Sequence, residues 1–225
     1  MIRAAALALL LMGAESEAGE RTPVAIELVL AFDASASVDW NEFDLQLKGL
    51  AAAFADPDVI TAVNNLKPLG AAVAVVQWGG PGDTRVVLPF THLVSGRDAK
   101  AFGYLSGRIT RWHRASETSI GTAIADSMEA LETNDFDGHR RIIDISGDGA
   151  DNSSADLAGA RAAARANGII INGLPIEQED GELTAYYREH VIAGPGSFTE
   201  TAKGFDDFAR AIKEKLLREL RPLDS

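Results

Sequence analysis

Oxygen-bearing side chains in three separate stretches of the sequence have the types and spacing of a metal site. They are Asp33, Ser35 and Ser37 in the first stretch, Thr118 in the second and Asp148 in the third. In Asp-x-Ser-x-Ser the spacing of two lets alternate side chains of an extended turn point the same way, so one carboxylate and two hydroxyls can converge. A donor set made only of oxygens suits a hard dication, which we expect to be magnesium, with calcium or manganese as alternatives, whereas zinc and copper favour imidazole or thiolate ligands.

The charge of this donor set also indicates what the ion would bind. Two carboxylates balance one dication, and neutral hydroxyls complete most of its shell. An ion held in this way can still accept one further carboxylate from outside. We therefore expect a single divalent cation and a protein partner that offers an Asp or Glu side chain.

Each stretch has a simpler interpretation as well. Ser and Asp often cap helices or occupy turns, so Asp33 or Ser37 could cap a following helix, and the run 147–149 could be only a turn. In the second stretch, Ser119 or Thr122 could be the ligand instead. The metal interpretation gains its strength from the combination of the three stretches, each at the expected end of a strand or start of a helix.

Two neighbouring residues have roles that the sequence leaves open. Asp144 falls inside a predicted buried strand, and a buried carboxylate needs partners. It is therefore either hydrogen-bonded scaffold or a group that supports the ligands from behind. Trp40 lies beside the first motif and could pack under the site or flank its mouth, and packing is the simpler expectation.

Apolar runs and helical spacing predict the elements that would position these residues. Strands are predicted at 24–32, 71–78, 85–90, 140–146 and 169–176, with a weak strand near 197–201. The first helix is predicted to begin at the cap Asp39, with Glu42 three residues on, and to end at Asp56-Pro57. Further helices are predicted at 98–109, 121–131, 154–167 and 206–220, and one is predicted to pass through 186–187.

This alternation of strands and helices predicts an α/β fold. Right-handed crossovers would produce a doubly wound, mostly parallel sheet with helices on both faces. The strands 71–78 and 85–90 would form a hairpin, which gives the sheet one antiparallel edge strand. Ligands of such sheets bind beyond the carboxyl ends of the strands, and the three oxygen-rich stretches fall there.

The motifs together resemble the von Willebrand factor A (vWA) superfamily, whose metal-ion-dependent adhesion site has Asp-x-Ser-x-Ser, a later Thr and a later Asp-Gly. The resemblance implies a Rossmann-like fold with metal contacts from Ser35, Ser37 and Thr118. It also implies that Asp33 and Asp148 bind the metal directly or through water. The run from Tyr186-Tyr187-Arg188 to Phe198, followed by 205–217, is more specifically similar to a bacterial family of exported A-type domain proteins of unknown function.

Composition narrows the classes of partner and of site. With 33 acidic against 21 basic residues, the formal charge of −12 would repel nucleic acids and anionic lipid surfaces. The chain has no cysteine, which excludes disulfides, a thiol nucleophile and zinc–thiolate sites. Its 225 residues suit one domain.

The N-terminus has the pattern of a secretory signal peptide. Arg3 precedes an apolar run over 4–13, and small and acidic residues follow. We expect residues 1–18 to be the signal peptide, with cleavage after Ala18 or alternatively Ala14, and 19–225 to be the vWA-type domain. The run is about half the roughly 20 residues that a membrane-spanning helix needs, so we expect no membrane insertion of the mature chain and a periplasmic or secreted location.

Binding is a better match to the motifs than catalysis. Hydrolysis at a dication needs a general base or nucleophile beside it, and none stands out. No Gly-x-Gly-x-x-Gly, phosphate-binding Gly-Lys-Ser/Thr loop or Gly-x-Ser-x-Gly elbow occurs. The alternatives are a metal-dependent hydrolase with Asp148 or Glu117 as base, and a metal-free scaffold domain.

Overall fold

A computed structural model describes residues 20–112, 117–177 and 181–221 of the chain. The expected signal peptide over 1–18 lies outside these ranges. Within them, every helix is too short or too polar to cross a bilayer.

The strands of the described residues form a single sheet. They are β1 (Thr22–Asp33), β2 (Ala71–Trp78), β3 (Arg85–Leu93), β4 (Phe136–Gly147) and β5 (Ile169–Pro175). The sheet order is β3-β2-β1-β4-β5, with β3 antiparallel to β2 and the other pairs parallel. The predicted mostly parallel sheet with one antiparallel edge strand is therefore confirmed.

Helices cover both faces of the sheet, as the sequence predicted. They are α1 (Trp40–Ala55), α2 (Pro57–Asn65), α3 (Gly96–Ser106), α4 (Ile120–Glu132), α5 (Leu157–Ala166), α6 (Glu182–Tyr186) and α7 (Phe208–Glu219). The first three pack with α7 on one face and α4 and α5 pack on the other. In β1, Leu28 faces the first layer and its neighbour Val29 the second, which is why the central strands are apolar at nearly every position.

The start of α1 determines how the loop after β1 is used. Asp39 caps α1, since its side chain accepts hydrogen bonds from the main-chain N–H groups of Asn41 and Glu42, and Glu42 accepts one from the N–H of Asp39 in return. The helix therefore needs no cap from Asp33 or Ser37. Both side chains are left for another role.

Two predicted features differ from the structure. Pro57 ends α1 as expected, but it also begins the short helix α2, since the fixed φ of proline suits a first helical turn. The weak strand expected near 197–201 makes only isolated bridges, between Thr199 and Gly173 and between Ala202 and Ile176. The chain turns at Gly194 and Gly196, both at positive φ, between its bridge to β5 at Ala193 and its next bridge to β5 at Thr199.

The two edges of the sheet differ in their protection. At one edge, the bridges of Ala193, Thr199 and Ala202 lie against β5. The other edge is β3, which carries Pro89 and pairs with β2 through a shifted register.

Candidate metal centre

Asp33 is the last residue of β1, and its side chain is completely buried. Its Oδ1 accepts a 2.7 Å hydrogen bond from the main-chain N–H of Ser35. Among the described residues its Oδ2 has no hydrogen-bond donor. The pKa of Asp33 is raised to about 7, mainly by burial and also by the nearby charge of Asp148, although hydrogen bonding from Ser35 lowers it. The site therefore holds a buried carboxylate that needs a positive partner.

Hydrogen bonds link Asp33 to three of the other predicted ligands. The hydroxyl oxygens of Ser35 and Ser37 lie 3.0 Å apart, and Ser37 donates a 2.8 Å hydrogen bond to Oδ1 of Asp148. Burial raises the pKa of Asp148 as well. The structure thus brings these residues together at the carboxyl edge of the sheet, between β1 and β4.

Thr118 lies beside the same turn. It is buried, and a Cβ on Gly149 would lie 3.8 Å from its Oγ1. Its main chain is fixed by Asn152, whose Oδ1 accepts from the N–H of Thr118 and whose own N–H donates to the Thr118 carbonyl. Thr118 therefore faces the turn that carries Asp148.

The two alternative ligands are engaged elsewhere. The hydroxyl of Ser119 lies 2.8 Å from Thr122 Oγ1 and 2.9 Å from Ser153 Oγ. Ser119 is completely buried, and its N–H donates to the carbonyl of Gly79 at the end of β2. These contacts anchor the loop, and Thr118 remains the better candidate ligand.

The absence of a side chain at Gly147 lets buried polar groups approach one another. A Cβ there would lie 2.9 Å from the Tyr187 hydroxyl oxygen and 3.0 Å from Asp33 Oδ2. The pKa of Tyr187 lies well above its usual value, mainly because the side chain is buried and secondly because the charge of Asp33 is close. Tyr187 is thus a neutral wall of the site.

The side chain of Arg111 holds the main chain of the Asp-x-Ser-x-Ser loop, a role that the sequence analysis missed. Its Nη2 donates to the carbonyl oxygens of Ala34 at 2.8 Å and Ser35 at 2.6 Å. Buried Gln77 fixes the segment that carries Arg111, since it donates to the Thr110 carbonyl and accepts from the Trp112 N–H. The only sequence signal was a glutamine inside the apolar run 71–78.

Asp144 belongs to a separate buried ionic group. Its Oδ2 lies 2.9 Å from Lys215 Nζ, which also lies 2.6 Å from Glu219 Oε1. Asn172 donates to the same Glu219 oxygen, so the group joins β4, β5 and α7. Burial raises the pKa of Asp144 to about 7 although Lys215 lowers it. Of the two roles considered for Asp144, the structure supports scaffold.

Trp40 flanks the site and does not pack beneath it. Its side chain is 56% exposed, and the guanidinium of Arg111 lies 5.5 Å from the ring centroid. The simpler expectation of packing was therefore wrong, because Trp40 is the first residue of α1 and projects at the rim of the fold.

An open groove of about 710 Å³ begins at the candidate centre. Ser37 and Asp148 form one end of it, and Leu183 and Tyr186 line it further along. It also includes Glu177 and Glu182. The groove is therefore acidic beside the candidate metal ligands.

The residues present fit a hard dication. The donors are carboxylate and hydroxyl oxygens, and the buried Asp33 Oδ2 has no donor within the described residues. Over 20–112, 117–177 and 181–221, no group of three or more His, Asp or Glu side chains is arranged to hold a metal ion. The centre would therefore depend on its hydroxyls as well as on its two carboxylates.

A family model described as "Protein of unknown function (DUF1194)" matches residues 23–224. The chain belongs to the DUF1194 family. No match was found among curated protein sequences.

Solved structures show that the DUF1194 chain has a vWA fold. Proximal thread matrix protein 1 (PTMP1) from the mussel byssus has a TM-score of 0.62 at 14% identity, over 90% of this chain and 48% of that one. The von Willebrand factor type A structure from Catenulispora acidiphila has a TM-score of 0.58 at 21% identity, over 88% and 43%. The chain thus spans less than half of each of these proteins.

One further PTMP1 structure bears on the site. It has a zinc-occupied MIDAS motif and matches with a TM-score of 0.60 at 13% identity, over 90% of this chain and 48% of that one. The confirmed likeness between the DUF1194 chain and this structure is one of fold.

Proposed function

We propose that the domain is a metal-dependent protein-binding module that uses a metal-ion-dependent adhesion site. Asp33, Ser35, Ser37, Thr118 and Asp148 would hold one divalent cation. The observation that carries the proposal is the chain of hydrogen bonds from Asp148 to Oδ1 of Asp33, whose other carboxylate oxygen, Oδ2, is completely buried and has no donor in the described residues. Such a carboxylate is costly to bury in its charged form unless a cation joins it.

The oxygen donors favour magnesium, with calcium or manganese as alternatives. The zinc-occupied MIDAS motif of PTMP1 supports a divalent cation on this fold. This chain offers no cysteine thiolate as a ligand, and its proposed donors include no imidazole.

The chain's own residues would set the geometry before any partner binds. Arg111 and the Ser35 N–H hold the loop and one oxygen of Asp33 in place. When bound, the dication would supply a positive position for a carboxylate from outside. The acidic groove beside Asp148 would repel that carboxylate in the absence of metal, so the metal would act as a switch for binding.

We propose binding and not catalysis for this centre. A hydrolase needs a free general base beside its cation. Asp148 already accepts the hydroxyl proton of Ser37, and Glu117 is exposed at the surface. Turnover of phosphoester or ester substrates in magnesium that disappears in Asp33→Asn would favour the hydrolase instead.

We further propose that residues 1–18 direct export and are removed from the mature protein. The support is the Arg3, apolar and small-residue pattern of the sequence. N-terminal sequencing of the protein recovered from periplasm and medium tests this. An intact N-terminus on protein confined to the cytoplasm would contradict it.

The central experiment compares partner capture in magnesium and in chelator. The parent protein should retain a partner only with metal, and Asp33→Asn should retain none in either condition. Asp44→Asn makes the same change at a 55% exposed position on α1 and should behave as the parent. Undiminished capture in chelator would remove the metal bridge from the mechanism, and calorimetry without heat for magnesium, calcium and manganese would favour the metal-free scaffold.

A further inference from the structure

A second groove, of about 910 Å³, lies between α5 and the segment 188–197. Arg161 and Arg165 of α5 form one wall and Arg188 contributes from the other side. None of its lining residues belongs to the candidate metal centre.

The groove concentrates positive charge on an acidic protein. Three arginines and no acidic residue line it, whereas the whole chain has a formal charge of −12. Arg161 and Arg165 are spaced at i and i+4, where like charges destabilise a helix. By contrast, the guanidinium group of Arg210 has two carboxylate partners, Asp207 and Glu200. In the described part of the chain, none of the three groove arginines forms an ion pair.

Two of these arginines are held in place by their inner nitrogen atoms. Arg161 Nε donates to the Ile192 carbonyl at 2.7 Å, and Arg188 Nε donates to Thr199 Oγ1 at 3.2 Å. Within the described residues their terminal nitrogens make no hydrogen bond. The side chain of Arg165 is exposed, and it makes no hydrogen bond there either. The groove thus presents N–H donors that are partly preorganised and need acceptors.

The alanine face of the groove, its volume and the acidic surface around it limit the kind of anion that it can bind. Ala158, Ala162 and Ala166 recur every four residues, so they lie on one face of α5 and give the groove a small apolar wall. Its volume is that of a small-molecule site. An extended polyanion such as a nucleic acid would also meet the acidic surface around it.

We propose that this groove binds a small organic anion that carries two or more carboxylate or phosphate groups on a compact body. The planar guanidinium group matches both kinds of oxyanion, since it donates two parallel hydrogen bonds. The three arginines would hold the charged groups, and the alanine face would contact the apolar part.

Calorimetry with citrate and with pyrophosphate, at low ionic strength and on protein freed of metal beforehand by passage over an immobilised chelating resin, tests the proposal. Prior removal of metal keeps both probes from being drawn to a metal, and it leaves no soluble polycarboxylate to compete for the groove. At least one probe should bind the parent with millimolar or better affinity. Arg165→Gln should weaken it about tenfold, and Arg165→Gln with Arg188→Gln should weaken it more, since each loses a charged hydrogen bond.

The matched control is Arg97→Gln with Arg108→Gln, which changes the net charge equally at exposed positions outside the groove. It should retain the parent affinity. Failure of both probes to bind the parent, or equal weakening in the two double variants, would overturn the proposal. Tighter binding of a tetraglutamate peptide than of both probes, by about tenfold or more, would also overturn it and make the groove a docking surface for polypeptide.

Discussion

The hydroxyl of Ser37 donates a 2.8 Å hydrogen bond to Oδ1 of Asp148, a residue 111 positions further along the chain. The bond joins the loop after β1 to the turn after β4. These two strands are neighbours in the sheet. Some of the side chains that are proposed to bind a cation therefore form hydrogen bonds with one another. Oδ2 of Asp33 is buried and has no donor within the described residues.

Asp33→Asn is expected to abolish stabilisation by metal while the protein stays folded. Asn keeps an oxygen that can accept from the Ser35 N–H, but it removes the buried charge. Thermal melting in chelator and in millimolar magnesium should show a rise for the parent and none for the variant. The exposed Asp44→Asn variant should rise as the parent does. An equal gain for Asp33→Asn would show that Asp33 is not a ligand.

The stability of the metal-free protein should depend on pH through Asp33. Because the pKa of Asp33 is raised to about 7, the folded protein keeps a proton that the unfolded chain releases at about pH 4. The free energy of unfolding therefore falls as pH rises through this window. The variant Asp33→Asn has no titrating group at this position, so it should gain a stability advantage over the parent. Above pH 7 its free energy of unfolding should be higher than that of the parent by on the order of 2–4 kcal/mol.

Urea denaturation in chelator at about pH 4 and about pH 8 measures this advantage. Asp144 titrates in the same direction, but it is present in both proteins and cancels in the difference. The same advantage at both pH values would contradict the burial of a charged Asp33.

Arg111→Gln is expected to weaken metal binding about tenfold and to destabilise the fold by about 1–3 kcal/mol. The reason is loss of the two hydrogen bonds that hold the carbonyls of Ala34 and Ser35. Titration calorimetry should still give one site per chain, since no ligand is removed. Arg111→Lys should recover part of the affinity, and Arg108→Gln is the control. An unchanged metal affinity with reduced stability would show that the loop keeps its position without Arg111.

Lys215→Met should destabilise the protein by about 3–5 kcal/mol at neutral pH, because it leaves Asp144 and Glu219 buried without their cation. Adding Asp144→Asn and Glu219→Gln to Lys215→Met should restore most of the loss. Denaturant unfolding measures each variant, and metal affinity should not change. If the triple variant were as unstable as Lys215→Met alone, the buried charge of the two carboxylates would not be the cause of the destabilisation.

The candidate site was predictable where it follows strand ends. Asp33, Ser37 and Asp148 converge because β1 and β4 are parallel neighbours, and the apolar runs before the motifs predict those strands. The support from Arg111 was not predictable, since its side chain binds main-chain carbonyls 76 and 77 residues away. A contact to backbone has no partner residue type that a sequence could reveal.

The same limit applies to the rest of the fold. The partners of Asp144 could not be read from its strand, because Lys215 comes from the last helix and only packing brings it there. Arg161 and Arg165 have a visible helical spacing, but the groove needs Arg188, which the fold of the segment 188–197 brings opposite them.

The unequal edges of the sheet bear on how a protein could attach to this domain. A partner that adds a strand needs unpaired main-chain groups at an edge. The segment that carries Thr199 and Ala202 takes up such groups along β5, and Pro89 removes one donor from β3. Strand addition and edge-to-edge polymerisation are therefore disfavoured at both ends of the sheet, and a protein partner of the kind proposed would have to contact side chains.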